Sequence, residues 1–222
     1  MSHCASPEKT ANLASARLYT IFDTAYADPQ HLEKTLTALL CGGADIIQIR
    51  AKKLPREKIL PLALRARKLL DGSKIPLIIN DHPQIARDCG AEGVHLGQDD
   101  GDIPHTRATC PGLLIGRSTH SLQQALTAQL NGADYIGFGP LFATPTKAGR
   151  PAIGLGELKN LHRAVHIPAF AIGGIKSHNL HDVLAAGARR VVIVSGILQA
   201  ADIALECRRI KDILQATPPD DA

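Results

Sequence analysis

Short apolar runs recur along the chain, each ending in polar residues and each followed by a stretch with helical spacing. The first, Leu18-Tyr19-Thr20-Ile21-Phe22, stops at Asp23. Residues 30–41 then carry leucines at helical intervals and end at Gly42-Gly43, a helix terminator. The run Ala44–Ile49 follows, and Pro55 opens a helix to about Leu70. Further strands are predicted at 76–80, 93–96, 113–116, 134–138, 168–172 and 191–194. Helices are predicted at 83–88, 121–130, 156–165, 179–186 and 200–214, with an Asp- and Gly-rich loop after Leu96 and a long loop from Gly139 to about Leu155.

Strands alternating with helices at intervals of roughly 25 residues mean βα units, hence a parallel sheet covered by helices. Eight units in about 200 residues predict an α/β fold of one domain, a closed (β/α)8 TIM barrel. A doubly wound sheet usually carries its phosphate loop after the first strand; here Asp23-Thr24-Ala25-Tyr26 has no glycine. The barrel is assigned to residues 17–216. Residues 1–16 lack the apolar core of a secretory signal and read as an extension, a loose leader or a short helix across the outside of the fold. Residues 217–222 read as a disordered polar tail.

Composition narrows the function. A hydrophobic content of 45% and a charged content of 21% are ordinary for a globular protein. A net charge of +4 with scattered basic residues and 3% aromatics argues against a nucleic-acid partner. No run of about 18 apolar residues exists, so no membrane span is expected. The five cysteines are far apart and form no Cys-x-x-Cys pair, which reads as reduced thiols in a cytoplasmic protein. A homo-oligomer is compatible with all of this.

The chemistry should lie at the C-terminal ends of the strands. Gln48, Arg50 and Lys52 alternate onto one face of the second strand, turning an amide and two cations in the same direction. An anion there would balance them; the alternative is a strand end fraying into solvent. Other strand ends carry Asn80-Asp81, Asp99-Asp100, Ser118 and His120, Thr144 to Lys147, Gly173-Gly174 and Ser195-Gly196. Gly173-Gly174 with Ser195 fits a phosphate site after strands seven and eight, although Gly-Gly alone also makes a tight turn. Asp81 and Asp100 are candidates for a Mg²⁺ site, or for salt bridges to the neighbouring cations.

The histidines carry a weaker signal. His162 and His166 are four apart and His178 and His181 three apart, but nothing nearby completes a zinc set, so they read as solvated helix residues. His95 reads as packed within its strand, and His120 lies within reach of the pocket. No Gly-x-Ser-x-Gly motif or Cys–His pairing points to a covalent nucleophile.

Seven motifs stand in order: Gln48-Ile49-Arg50-Ala51-Lys52, Ile78-Ile79-Asn80-Asp81, Gly93 to Asp100, Gly116-Arg117-Ser118-Thr119-His120, Gly137 to Lys147, Ile172-Gly173-Gly174-Ile175 and Val194-Ser195. With them the chain resembles the thiamine-phosphate synthase (thiamine-phosphate pyrophosphorylase) family from Leu18 to Leu198. The resemblance implies a transferase of thiamine biosynthesis. It would join 4-amino-2-methyl-5-(diphosphooxymethyl)pyrimidine to 4-methyl-5-(2-phosphooxyethyl)thiazole, forming thiamine phosphate and releasing pyrophosphate.

By position, the resemblance gives the pyrimidine diphosphate to Gln48, Arg50, Lys52, Asn80, Ser118 and Lys147. It gives the thiazole phosphate to Thr144, Thr146, Gly174, Val194 and Ser195, and Mg²⁺ to Asp81 and Asp100. Arg50, Lys52, Ser118 and Lys147 would then be the catalytic set, with Lys147 a lid cation. Two positions depart from the family pattern: Ala51 stands where an acid is common, and His82 where an arginine or aromatic residue is common. By alternation Ala51 should face away from the pocket, whereas His82 bears on how the pyrimidine is held. Two other readings are a thiazole tautomerase-like isomerase using His120, and a non-catalytic phosphate-ligand-binding barrel.

Overall fold

The structure is a computed structural model that describes residues 12–144 and 151–217. Eight parallel strands close into a barrel in sequence order. They are β1 (Leu18–Asp23), β2 (Ile46–Arg50), β3 (Leu77–Asn80), β4 (Gly93–Leu96), β5 (Leu114–Thr119), β6 (Tyr135–Phe138), β7 (Ala169–Ile172) and β8 (Val191–Ile193). The ring closes because β1 pairs with β2 on one side and β8 on the other. Around it lie α1 (Leu32–Cys41), α2 (Arg56–Leu69), α3 (Pro83–Asp88), α4 (Ile103–Thr109), α5 (Leu122–Leu130), α6 (Leu158–Ala164), α7 (Leu180–Ala185), α8 (Ser195–Leu198) and α9 (Ile203–Ala216).

The strands read as nearly continuous apolar runs because both of their faces are covered. Ile47, Ile49, Leu77, Ile79 and Val94 face outward and pack under the helices. Tyr19, Ile46, Ile78, Leu114, Tyr135 and Phe170 turn inward and fill the lumen. Ala51 belongs to the outer layer, 5% exposed, as alternation along β2 predicted.

Two expectations change. The loop after Leu96 contains a helix, α4, which short length and few apolar residues hid; Asp102 caps it by accepting from the N–H of His105, and Pro104 sits in its first turn. The described end of the extension, residues 12–16, contains a short helix as one reading expected, but it does not lie across the outside. Residues 12–15 are helical, and Leu13 and Ala16 are buried with the lumen residues, stopping the bottom of the barrel. Burying Leu13 in this way is worth roughly 2 kcal/mol. Most of the expected tail, residues 218–222, lies outside the described residues.

The bottom of the barrel carries a repeat. Helices α1, α3, α5 and α7 are each followed by Gly-Ala: Gly43-Ala44, Gly90-Ala91, Gly132-Ala133 and Gly187-Ala188. All four glycines are left-handed, with φ between 70° and 103°, which lets the chain leave the helix and turn into the next strand. The residue after each alanine stands just below an even-numbered strand. In three cases it is an acid that holds the preceding odd-numbered strand. Asp45 accepts from Arg17 N and Leu18 N at 2.9 and 2.8 Å, Glu92 from Leu77 N at 2.7 Å, and Asp134 from Ile115 N at 2.7 Å. Each acid also pairs with a base from a helix: Lys211, Arg67 and Arg107 respectively. The fourth position is Arg189.

Candidate active site

The polar residues at the strand ends converge on one mouth. Asp23 and Arg50 are register partners at the tips of β1 and β2. Arg50 Nη1 donates to Asp23 Oδ2 at 2.6 Å, with the carboxylate only 1% exposed. This charge-assisted bond fixes the guanidinium against the inner wall. Asp23 was absent from the sequence-based site, although an acid closing the first apolar run was the available signal.

Lys52 links the next two strand ends. Its Nζ lies 2.9 Å from Asp81 Oδ2 and 3.8 Å from Asp100 Oδ2, so two carboxylates share one ammonium. Asp100 is positioned by Gly97 N, which donates to its Oδ2 at 3.0 Å. Asp81 is held at φ 64°, a left-handed backbone found at no other described non-glycine residue. Burial pushes the Asp81 carboxyl above its ordinary pKa; Lys52 opposes this, while nearby Asp100 adds to it. Among the described residues no group of three or more His, Cys, Asp or Glu side chains is placed to hold a metal. Two carboxylates with room for water and substrate oxygens are nevertheless the kind of all-oxygen set that Mg²⁺ accepts.

Beneath the mouth a chain of polar side chains crosses the lumen. Gln48 Nε2 donates to Tyr19 Oη at 2.5 Å, Tyr19 meets Tyr135 Oη at 3.1 Å, and Tyr135 meets His95 Nδ1 at 3.2 Å. His95 Nε2 then meets Ser118 Oγ at 3.0 Å. Burial pushes both tyrosine hydroxyls well above their ordinary pKa, so they remain neutral. Gln48 and Ser118, on opposite walls, are thus oriented by one network. A cavity of about 20 Å³ beside it has room for a water molecule. His95 was expected to pack within β4 and instead faces the lumen; the alternation of Gly93, His95 and Gly97 carried that signal.

Asn80 ends β3 beside His95, its register partner on β4. His82 is half-buried at the start of α3, and burial lowers its pKa against the opposing pull of Asp81. The His120 ring Nδ1 is in close contact with the Gly139 carbonyl, and the His120 backbone N–H donates to Gln124 Oε1 at 2.8 Å.

On the other side, the loop after β6 is zipped onto the end of β7: Leu141 N donates to Ile172 O at 2.9 Å and Phe142 N to Gly173 O at 3.0 Å. Gly174, at φ 67°, packs so closely that an added Cβ would lie 2.6 Å from Phe142 Cβ and 3.0 Å from Ala143 O. Thr144 follows directly on this contact in the chain. Val194 and Ser195 follow β8, Ser195 opening α8, and a Cβ on Gly196 would meet Ile175 O at 3.1 Å. The predicted residues Thr146 and Lys147 lie outside the described residues.

A (β/α)8 barrel whose mouth gathers paired carboxylates, cations and glycine turns defines a class of enzyme acting on phosphorylated small molecules. The profile of the thiamine monophosphate synthase family matches residues 18–197. The chain is 36% identical to the thiamine-phosphate synthase of Chloroflexus aurantiacus over 93% of its own length and 96% of that protein. It is 42% identical to the one from Gloeobacter violaceus over 86% of its length, and spans 55% of that longer protein. The structure of thiamine phosphate pyrophosphorylase from Pyrococcus furiosus superposes with a TM-score of 0.82, at 30% identity, covering 94% of this chain and 98% of that one. The chain belongs to the thiamine monophosphate synthase family. Among the described residues no helix is long and apolar enough to cross a membrane.

Proposed function

We propose that the mouth binds the pyrimidine diphosphate against β2, β3 and β5 and the thiazole phosphate against the ends of β6, β7 and β8. The observation that carries this reading is Lys52 clasped by Asp81 and Asp100, next to the Arg50–Asp23 pair. Arg50 and Lys52 face the diphosphate, with Asn80 and Ser118 donating to it and Gln48 holding the ring. Gly174, Ser195, Thr144 and Val194 cradle the second phosphate. Lys147 and Thr146 are assigned to the two phosphates by sequence.

The reaction breaks the bond between the pyrimidine methylene carbon and the diphosphate oxygen. The electron pair leaves on pyrophosphate, and the aminopyrimidine ring spreads the positive charge left on carbon. The thiazole nitrogen then donates its lone pair to that carbon. The protein's part is to stabilise negative charge on the leaving oxygens and hold the two rings in line. Mg²⁺ held by Asp81 and Asp100 would add positive charge at the diphosphate. No side chain need form a covalent bond. The Tyr19–Tyr135–His95 network keeps the Gln48 amide and the Ser118 hydroxyl aimed into the site. The same reading places the enzyme in the cytoplasm, in keeping with four free thiols among the described residues.

Incubating the protein with both substrates and Mg²⁺ tests this. Thiamine phosphate and pyrophosphate should appear in equal amounts, and EDTA should stop the reaction. Absence of coupling, or conversion of the thiazole alone regardless of EDTA, would contradict it.

A further inference from the structure

The loop that carries Asp100 is pinned by a side chain from the neighbouring strand. Along β5, Gly116 and Ser118 face the lumen, so alternation turns Arg117 outward, toward the loop between β4 and α4. Its register partner on β4 is Leu96, the last residue before that loop begins. From there the guanidinium donates twice: Nη1 to Gly101 O at 2.6 Å and Nη2 to Gln98 O at 3.2 Å. Asp100 lies between those two carbonyls in the chain. A third bond ties the same loop to β5, from Gln98 Nε2 to Ser118 O at 2.5 Å.

The loop's own backbone does little to fix its shape. Residues 97–102 form no helix or strand, and the backbone bond within them, from Asp100 N to Gly97 O, is long at 3.3 Å. The Asp100 carboxylate helps from inside: its Oδ2 accepts from Gly97 N at 3.0 Å, in a fit so close that a Cβ on Gly97 would collide with it. That bond sets Asp100 against the foot of its own loop, whereas Arg117 sets the loop against the barrel. Burial weakens the hold of the Arg117 guanidinium on its proton, and the nearby Asp100, Asp102 and Asp99 oppose this. Meeting two carbonyls on either side of one acid suits a planar fork of N–H groups, which a lysine ammonium lacks.

We infer that Arg117 is a positioning residue for the reaction: by holding Gln98 and Gly101 it keeps the Asp100 carboxylate facing Asp81, ready for a divalent ion. Both acids already reach Lys52 Nζ, at 2.9 and 3.8 Å, so the ordered loop brings the two carboxylates to one place. A loop released from Arg117 spends part of its time with Asp100 turned away, and the affinity for the ion falls with the fraction that remains ordered. Arg117 belongs to neither phosphate set and faces away from the lumen, so it acts through Asp100. The thiazole phosphate is assigned to the ends of β6, β7 and β8, so its affinity should not move. The inference rests on Asp100 holding Mg²⁺, as proposed above.

Three measurements on the full chain test it, with Arg117→Met and Arg117→Lys beside the wild type. In metal-free protein, amide hydrogen exchange at residues 97–102 should be at least tenfold faster in Arg117→Met, with β4 and β5 unchanged. Mn²⁺, which accepts the same oxygen ligands as Mg²⁺, should bind at least fivefold more weakly in the presence of pyrophosphate, read from the EPR signal of the free ion. KM for thiazole phosphate should stay within twofold of the wild type. Arg117→Lys, which keeps the charge without the fork, should fall between the two in exchange and in Mn²⁺ affinity. Wild-type exchange in Arg117→Met, or faster exchange with unchanged Mn²⁺ affinity, would overturn the inference and leave the metal assignment intact. So would Arg117→Lys matching the wild type in both readouts, or faster exchange throughout the barrel, as a merely structural role would give. Absence of Mn²⁺ binding by the wild type would overturn the metal assignment and the inference with it.

Discussion

Carboxylates do opposite work at the two ends of this barrel. At the bottom, Asp45, Glu92 and Asp134 each accept from a backbone N–H at the start of a strand and meet one base of their own. Each is hydrogen-bonded to the backbone and paired with a base, the condition under which a partly buried carboxylate stabilises a fold. At the mouth, Asp81 and Asp100 face one shared lysine, and Asp81 sits on a left-handed backbone with its carboxyl pushed up by burial. The bottom gives each acid a base of its own, whereas at the mouth two acids share one lysine. Strain and like-charge pairs of this kind collect where a protein binds and reacts.

Substitutions at matched positions should separate the two roles. The largest effect is expected from Lys52→Ala, which should lower kcat/KM roughly 10²–10³-fold with little change in the thermal midpoint; steady-state assays and calorimetric melting read the two quantities side by side. Next comes Asp134→Ala, which leaves the Ile115 N–H without its acceptor and Arg107 without its carboxylate. It should cost about 2–3 kcal/mol of unfolding free energy in urea titrations while kcat/KM stays at the wild-type value.

A smaller effect concerns pH. His162 has a folded pKa of about 4 against an ordinary 6.5, so the unfolded chain binds more protons between those values. Its contribution is fully present above pH 6.5 and is lost as the pH falls toward 4. Because the ring is only half-buried, the loss should be on the order of 1 kcal/mol rather than the full value of the shift. His162→Gln should flatten the stability profile of the wild type across that window. The smallest change in stability is expected from Asp81→Gly, which should raise the unfolding free energy by about 0.5–1 kcal/mol by relieving the backbone at φ 64°, as urea titration would show.

Much of this architecture is legible in the sequence because a barrel strand must be apolar on both faces and polar only at its tip. That rule pointed to seven strand ends bearing candidate site residues and set Gln48, Arg50 and Lys52 on one face of β2. It also placed Ala51 outward, in the layer under the helices. What escaped has local causes. Helix α4 has seven residues and no apolar stripe, so only its Asp102 cap and Pro104 announced it. Tyr19, Tyr135 and His95 resemble ordinary strand residues; their shared network exists only because ring closure brings β1, β6 and β4 face to face across the lumen. Asp23 is one acid at the end of one strand, and its role depends on the register that sets it opposite Arg50. The Gly-Ala repeat was present in the letters, but its meaning lies in which backbone N–H groups the following acids reach.

The dependence of thiamine phosphate formation on Mg²⁺ concentration, compared between wild type and Asp100→Asn, tests the central claim most directly. The claim predicts no product in EDTA, saturating activation by Mg²⁺ in the wild type, and at least a tenfold higher half-activating concentration in the variant. An unchanged rate in EDTA, or the same half-activating concentration in both proteins, would contradict it.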